Sequence, residues 1–233
     1  LHSFPTRRSS DLRTRPTTIG RQFASTLRSE LAPLLGDIEP NLNPAIEHKG
    51  AREHPNARVE ALALTVEEGI HVPLFLLRPQ QAAARTPVVV AVAQGGKERF
   101  LASRSAELNA LLKAGVAVCL ADVRGTGETT PNASLERLAA LEFDLGRNLL
   151  GARLKDLRTV LAWLRTQPNV DPARIALWGE SFSPPNPETL FVDELENEMG
   201  PQIQRRADLT GPHLALFAAL YEPALQTTIA RGA

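Results

Sequence analysis

Short apolar runs alternate with helix-length segments through the centre of the chain. Residues 88–93, 116–121 and 175–178 are almost entirely apolar, which is typical of strands buried on both faces of a parallel sheet. Between them, residues 149–166 carry leucines on one helical face, and residues 101–114 form another helix-length segment. Strands that alternate with helices of this length predict an α/β domain with a mostly parallel sheet, flanking helices and right-handed crossovers.

The chain before this region has a different pattern. Residues 18–35 carry apolar positions at helical spacing and predict an amphipathic helix. Residues 58–65 and 70–78 predict an N-terminal hairpin, with the turn at 67–69. Residues 37–56 are rich in Pro and Asn without clear periodicity, so we expect a connecting segment.

The third apolar run ends in Gly179-Glu180-Ser181-Phe182-Ser183. A buried strand that breaks into small-x-Ser-x-small is typical of a nucleophile elbow, a strand-to-helix turn that presents a reactive serine. Such a turn is tight enough to strain the serine backbone, which is why small residues flank it. The pattern predicts Ser181 as a nucleophile, although Ser183 stands where Gly is usual and short motifs of this kind also occur by chance.

The residues after this motif are unusual. Pro184, Pro185 and Pro187 are followed by a polar stretch, and an apolar helix is predicted only over 212–221, before a strand at 225–230. We expect an insertion near 184–211 between the serine and its supporting helix. The alternative is that the prolines occupy the first turn of a helix, a position that tolerates them.

Composition narrows the function classes. Lys+Arg and Asp+Glu balance at 26 each, so no global field attracts nucleic acid or an anionic membrane. No apolar run approaches the roughly 20 residues needed to cross a bilayer. The single cysteine, Cys119, lies within an apolar run and is expected to be a buried small hydrophobe. The histidines are scattered, and we expect neither a metal nor a cofactor.

The chain divides into three predicted parts. Residues 1–12 resemble the translation of one frame of a common sequencing adapter, and we exclude them from the fold as an artefact; a genuine basic tail is the alternative. Residues 13–57 comprise the N-terminal helix and the connecting segment. Residues 58–233 form the main domain. Compartment and oligomeric state stay open.

Three local features of the sequence together resemble the motifs of one protein superfamily. They are the motif at 179–183, the break at 94–96 (Gln-Gly-Gly) after the first parallel strand, and residues 122–127 (Asp-Val-Arg-Gly-Thr-Gly) after the next strand. With these features, residues 58–233 resemble the α/β-hydrolases, most closely the acetyl xylan esterase and dienelactone hydrolase-like branch, which borders the prolyl-oligopeptidase group.

The resemblance implies roles for the residues around the motif. Ser181 would attack an ester carbonyl to form an acyl-enzyme, and the Phe182 amide would donate to the oxyanion. Gly95 or Gly96 would supply the second donor, or these glycines form only a flexible turn.

The loop after the second parallel strand is implied to form one side of the pocket. Its residues in that role are Asp122, Arg124 and Gly125. The rival interpretation is an anion-binding loop, but residues 124–127 are too short for phosphate-binding patterns and lack their Lys.

The acid and base of a catalytic triad are harder to assign. The resemblance implies the chain order Ser, then Asp or Glu, then His. After Ser181 the only histidine is His213, at the start of the supporting helix, while Asp193 and Asp208 fall in the insertion. We therefore expect a partial domain, incomplete at the C-terminus, that lacks its triad acid and His and is nearly inactive as a fragment. His213 as an unusual base is the alternative.

These expectations combine into a function. The protein is expected to be a serine carboxylic-ester hydrolase that acts on small acetyl-type esters, with a small-molecule ester or an acetylated carbohydrate as substrate. A prolyl-oligopeptidase-type serine peptidase and a non-catalytic binding module of the same fold are the alternatives.

Overall fold

A computed structural model of the chain describes residues 18–144, 146–185 and 207–232. Within these residues the chain forms six α-helices and a seven-stranded sheet. The helices are α1 (Thr18–Leu35), α2 (Gly96–Ser103), α3 (Ser105–Lys113), α4 (Leu135–Asp144), α5 (Leu149–Thr166) and α6 (Thr210–Tyr221). The strands are β1 (Ile46–His54), β2 (Ala57–Glu67), β3 (Ile70–Pro79), β4 (Thr86–Ala93), β5 (Ala117–Ala121), β6 (Val170–Glu180) and β7 (Thr227–Arg231).

The sheet has the strand order β1-β2-β3-β5-β4-β6-β7. The four later strands pair in parallel, and β1, β2 and β3 add an antiparallel part. The chain runs from β4 to β5 on one side and then crosses to β6 on the other side of β4. The carboxyl ends of β4 and β6 therefore meet at a topological switch point, where open α/β sheets bind their ligands.

The helices cover both faces of the sheet. One core contains leucines of α5 together with Leu214 and Ala215 of α6. The opposite core contains Phe100 of α2, Leu108 of α3 and Trp178 of β6. Cys119 is fully buried as expected, and this burial raises the pKa of its thiol to about 12.

Several predicted elements are confirmed. The N-terminal hairpin, the parallel strands and the helix at 149–166 are all present. The predicted supporting helix appears as α6, which packs against β6 so closely that a Cβ on Gly179 would overlap with the backbone of Gly211. No helix of the described residues is long and apolar enough to span a membrane.

Two predictions were wrong. The connecting segment at 37–56 contains β1, an edge strand whose nine residues are all exposed, so it shows no apolar alternation. The single helix at 101–114 is two helices, because the backbone at Arg104 (φ −121°, ψ 24°) leaves the helical conformation between α2 and α3.

Some predictions fall outside the described residues. The proposed artefact at 1–12 lies before the described part, and residues 186–206 of the predicted insertion also lie outside it. The domain boundaries stay predictions.

Candidate active site

Ser181 lies at the switch point of the sheet. It follows the last residue of β6, and β6 pairs in parallel with β4, with Ala93 opposite Glu180. Gln94, the next residue after β4, therefore lies beside Ser181. The motif at 179–183 and the break after β4 thus lie together at the carboxyl ends of two neighbouring strands, β6 and β4.

The hydroxyl of Ser181 is held by neighbouring backbone. Its Oγ donates a hydrogen bond to the carbonyl oxygen of Asp208 (2.6 Å) and accepts one from the amide of Ser183 (3.3 Å). The residue is only 7% exposed. Asp208 lies two residues before α6, so the segment that enters the supporting helix covers the serine hydroxyl.

The predicted strain at the serine is absent. None of the described non-glycine residues has a positive φ, so Ser181 does not adopt the strained conformation expected of an elbow. The amide of Ser181 donates to the carbonyl of Arg231 (2.9 Å). This bond extends the β6–β7 ladder by one residue and keeps the serine in a relaxed backbone conformation.

Phe182 joins the serine to the loop after β4. Its amide, the predicted oxyanion donor, donates to Oε1 of Gln94 (3.2 Å). Its half-buried ring stacks edge-on against Phe100, with ring centroids 5.8 Å apart. The guanidinium groups of Arg99 and Arg104 lie 5.8 and 5.7 Å from the ring centroid.

Ser183 contacts the same glutamine. Its Oγ accepts a hydrogen bond from Nε2 of Gln94 (3.1 Å). The side chain of Gln94 thus bridges two consecutive residues of the motif. Sequence analysis missed Gln94 as a site residue, although its position in the break after β4 was a usable signal.

Gly95 and Gly96 lie where β4 passes into α2. Gly96 has a φ of +77°, and a Cβ there would overlap with the backbone of Gly127. A side chain is therefore excluded at Gly96 by both conformation and space. The two glycines as oxyanion donors stay a prediction.

Asp122 is buried beneath this loop. It is fully inaccessible, and it accepts hydrogen bonds from the amide of Lys97 (2.6 Å), from Nζ of Lys97 (2.7 Å) and from the amide of Glu128 (2.9 Å). Lys97 is also buried and contacts the carboxylate of Glu128. This cluster anchors the loop that carries Gln94, a role that sequence analysis did not assign.

Arg124 and Gly125 contact other parts of the domain. The guanidinium of Arg124 binds Asp156 of α5 through Nε (2.9 Å) and Nη2 (2.6 Å), and it reaches Glu67 at the end of β2 (3.1 Å). Gly125 has a φ of +76° and lies against Leu135 of α4. Neither residue hydrogen-bonds Ser181, and the pocket role of this loop stays a prediction.

Two further charged groups support the site. Glu180 is buried and accepts hydrogen bonds from Nε of Arg104 (3.0 Å) and Nε1 of Trp178 (3.2 Å). The hydrogen bond to Glu180 raises the pKa of Arg104 above its usual value. Arg153 donates a hydrogen bond to Oγ1 of Thr210 at the start of α6 (3.1 Å). Burial lowers the pKa of Arg153, and the nearby charge of Asp208 opposes this shift.

The structure leaves the base unassigned. His213 is exposed on the first turn of α6, and none of the described histidines hydrogen-bonds Ser181. The carboxylate of Asp208 accepts a hydrogen bond from the amide of Thr210, the first residue of α6 (2.9 Å). Asp193 lies outside the described residues. The described part of the chain also contains no group of three or more acidic, His or Cys side chains that could hold a metal.

Comparisons with known proteins bear on the fold. No protein-family model and no curated protein matches the sequence. Among solved structures, acetyl xylan esterase 1 from Thermoanaerobacterium sp. matches with 18% identity and a TM-score of 0.53, over 78% of this chain and 50% of that chain. An acetyl xylan esterase from Paenibacillus sp. matches with 17% identity and a TM-score of 0.55, over 88% and 55%.

A third solved structure is a glucuronoyl esterase from Solibacter usitatus, with 14% identity and a TM-score of 0.54 over 88% of this chain and 57% of that chain. The chain thus spans about half the length of the structures it resembles. At these identities the likeness bears on the fold alone. The chain has an α/β-hydrolase fold like that of the acetyl xylan esterases, as the sequence resemblance predicted.

Proposed function

We propose that the protein is a serine ester hydrolase with Ser181 as its nucleophile. The observation that supports this most is the position of Ser181 at the carboxyl end of β6, beside the loop after β4 and above α6. In this fold a serine at that place can receive an oxyanion donor from each side, one from the next amide and one from the neighbouring loop. The structural likeness to carbohydrate esterases supports the same reaction class.

The proposed reaction has two steps. The Oγ of Ser181 forms a bond to the acyl carbon, the ester C–O bond breaks, and the alcohol leaves with a proton. Water then attacks the acyl-enzyme and releases the carboxylic acid and the free serine. The first step requires that the Ser181 hydroxyl leave the Asp208 carbonyl, to which it donates in the resting site.

A base must accept the serine proton from hydrogen-bond distance, about 2.6–3.2 Å. The carbonyl of Asp208 cannot do so, because a backbone carbonyl is far too weakly basic to hold the proton. His213 makes no hydrogen bond to the serine hydroxyl either. We propose that the triad acid and histidine come from outside the described residues.

We propose small acyl esters, with acetylated carbohydrates as the leading class, as substrates. The names of the structural neighbours support the carbohydrate part. The half-buried ring of Phe182, the residue after the serine, offers an apolar surface beside Ser181, and it packs on the buried ring of Phe100.

A covalent probe tests this function. A fluorophosphonate should label the folded protein expressed from its complete gene at Ser181, and Ser181→Ala should abolish the labelling. Ser103→Ala is the matched control, because Ser103 is an exposed serine at the end of α2, away from the motif.

The relaxed backbone of Ser181 favours one rival, a non-catalytic binding module with this fold. Such a module would not react with the probe. A folded wild-type protein that resists labelling would therefore replace the esterase proposal with the binding-module proposal.

A further inference from the structure

We propose that the carboxamide of Gln94 occupies the oxyanion position of the resting site and that Ser183 anchors it there. The substrate carbonyl oxygen would then have to displace Gln94 before the reaction begins. This inference rests on the proposed function, because it assumes that the Phe182 amide is an oxyanion donor. It also gives a reason for Ser183, which stands where an elbow usually has Gly.

The orientation of the carboxamide follows from the hydrogen-bonding groups. A backbone N–H can only donate, so the Phe182 amide must face the oxygen of the Gln94 side chain, 3.2 Å away. The nitrogen then faces Ser183 Oγ, 3.1 Å away, and donates to it. A flipped carboxamide would place two donors against each other at Phe182. The carbonyl oxygen of the Gln94 side chain therefore occupies the Phe182 amide, which is the oxyanion donor that the proposed mechanism needs.

The loop that follows Gln94 is fixed by buried contacts, whereas the Gln94 side chain is held by two hydrogen bonds alone among the described contacts. Gly96 and Lys97 are anchored by the contact of Gly96 with Gly127 and by the bonds of Lys97 to Asp122. The side chain of Gln94 is half-buried, and its described polar contacts are the two with the motif. A rotation about its side-chain torsions can release the Phe182 amide without moving the loop.

The consequence is a direct competition at one N–H group. A substrate carbonyl oxygen and Gln94 Oε1 cannot both accept the Phe182 amide in the same position. A neutral hydrogen bond of this kind contributes little net free energy, so its loss should speed the reaction by roughly 2- to 10-fold. Ser183→Ala should have the same effect, because it removes the acceptor that retains the carboxamide.

The first test is the second-order rate constant of fluorophosphonate labelling of the complete gene product, since the phosphonyl oxygen uses the oxyanion donors. Gln94→Met keeps a side chain of similar size but cannot accept the Phe182 amide. We expect Gln94→Met and Ser183→Ala each to raise the rate constant by about 2- to 10-fold. Gln81→Ala, at an exposed glutamine before β4, should leave it unchanged.

A rate constant that falls by 10-fold or more in Gln94→Met would overturn the proposal, because Gln94 would then itself help to stabilise the oxyanion. A rate within the error of the wild type would overturn it as well. Circular dichroism on each variant shows whether it is folded. A lack of labelling in the folded wild type, by contrast, counts against the proposed function.

The second test does not depend on activity. Amide hydrogen exchange followed by NMR should show the Phe182 N–H protected in the wild type and exchanging at least several-fold faster in Gln94→Met. Equal exchange in both proteins would refute the resting contact, whatever the protein catalyses.

Discussion

The buried ion pair beneath the Gln94 loop allows a quantitative prediction. Asp122→Ala removes the carboxylate that accepts hydrogen bonds from three donors: the Lys97 amide, Lys97 Nζ and the Glu128 amide. The Lys97 side chain is 1% exposed, and after the substitution Glu128 and the ring of Phe75, 4.8 Å from Nζ, are the groups of the described residues that remain beside its charge. Removing one partner of a buried pair typically costs about 3–5 kcal/mol, and Glu128, whose side chain is 54% exposed, compensates the remaining Lys97 charge only in part.

The expected cost can be measured by unfolding. A loss of about 3–5 kcal/mol in the free energy of unfolding corresponds to a melting temperature roughly 6–20 °C lower for a chain of this size. Urea titration followed by circular dichroism gives the free energy. The double variant Lys97→Met/Asp122→Leu should be less destabilised than Asp122→Ala, because the one charge it leaves without its partner, Glu128, is 54% exposed.

A matched control separates burial from charge. Lys49 on β1 pairs with Glu47, and both side chains are more than half exposed. Lys49→Met should therefore change the free energy of unfolding by less than about 0.5 kcal/mol. If Asp122→Ala also costs less than about 1 kcal/mol, the cluster does not anchor the loop and the reasoning fails.

Three further predictions concern packing and titration. Gly179→Ala forces a methyl group into Gly211 of α6 and should cost about 1–3 kcal/mol in urea unfolding; unchanged stability would contradict the packing of α6 on β6. Burial raises the pKa of the Cys119 thiol from its usual value to about 12. The stabilisation from the buried neutral thiol is therefore present below the unfolded pKa and is lost as pH rises from about 9 towards 12. Iodoacetamide at about pH 9 should accordingly label Cys119 only in denaturant, and labelling of the native protein would disprove its burial. The hydrogen bond from Lys155 lowers the pKa of Asp37, so the stabilisation from this pair is present above the unfolded pKa of Asp37 and is lost as pH falls. It should contribute under about 1 kcal/mol, because Asp37 is largely exposed. NMR titration should show the pKa of Asp37 return towards its usual value in Lys155→Met.

The predictability of the fold varied with burial. Strands β4 and β5 and helix α5 were correctly predicted because their apolar residues form continuous runs or one helical face. Strand β1 was missed because all its residues are exposed, so only the pairing with β2 makes it a strand. The break at Arg104 had no local signal either, since this residue bonds to Glu180, which is distant in sequence.

The site was predictable only where it is local in sequence. Ser181 and its flanking residues form one motif, and the sequence therefore indicated them. The contacts of Gln94 depend on the register between β4 and β6, which sequence analysis cannot supply. The burial of Lys97 and Asp122 was also hidden, because charged residues after strands are normally exposed.

The central claim is that Ser181 carries an acyl group during turnover. The most direct measurement is an acid quench of the protein expressed from its complete gene, mixed with 4-nitrophenyl acetate, followed by mass spectrometry of its peptides. We predict one acetyl group on the peptide that contains Ser181, absent in Ser181→Ala and retained in Ser103→Ala. An acetyl group on another residue, or hydrolysis that continues undiminished in Ser181→Ala, would contradict the account.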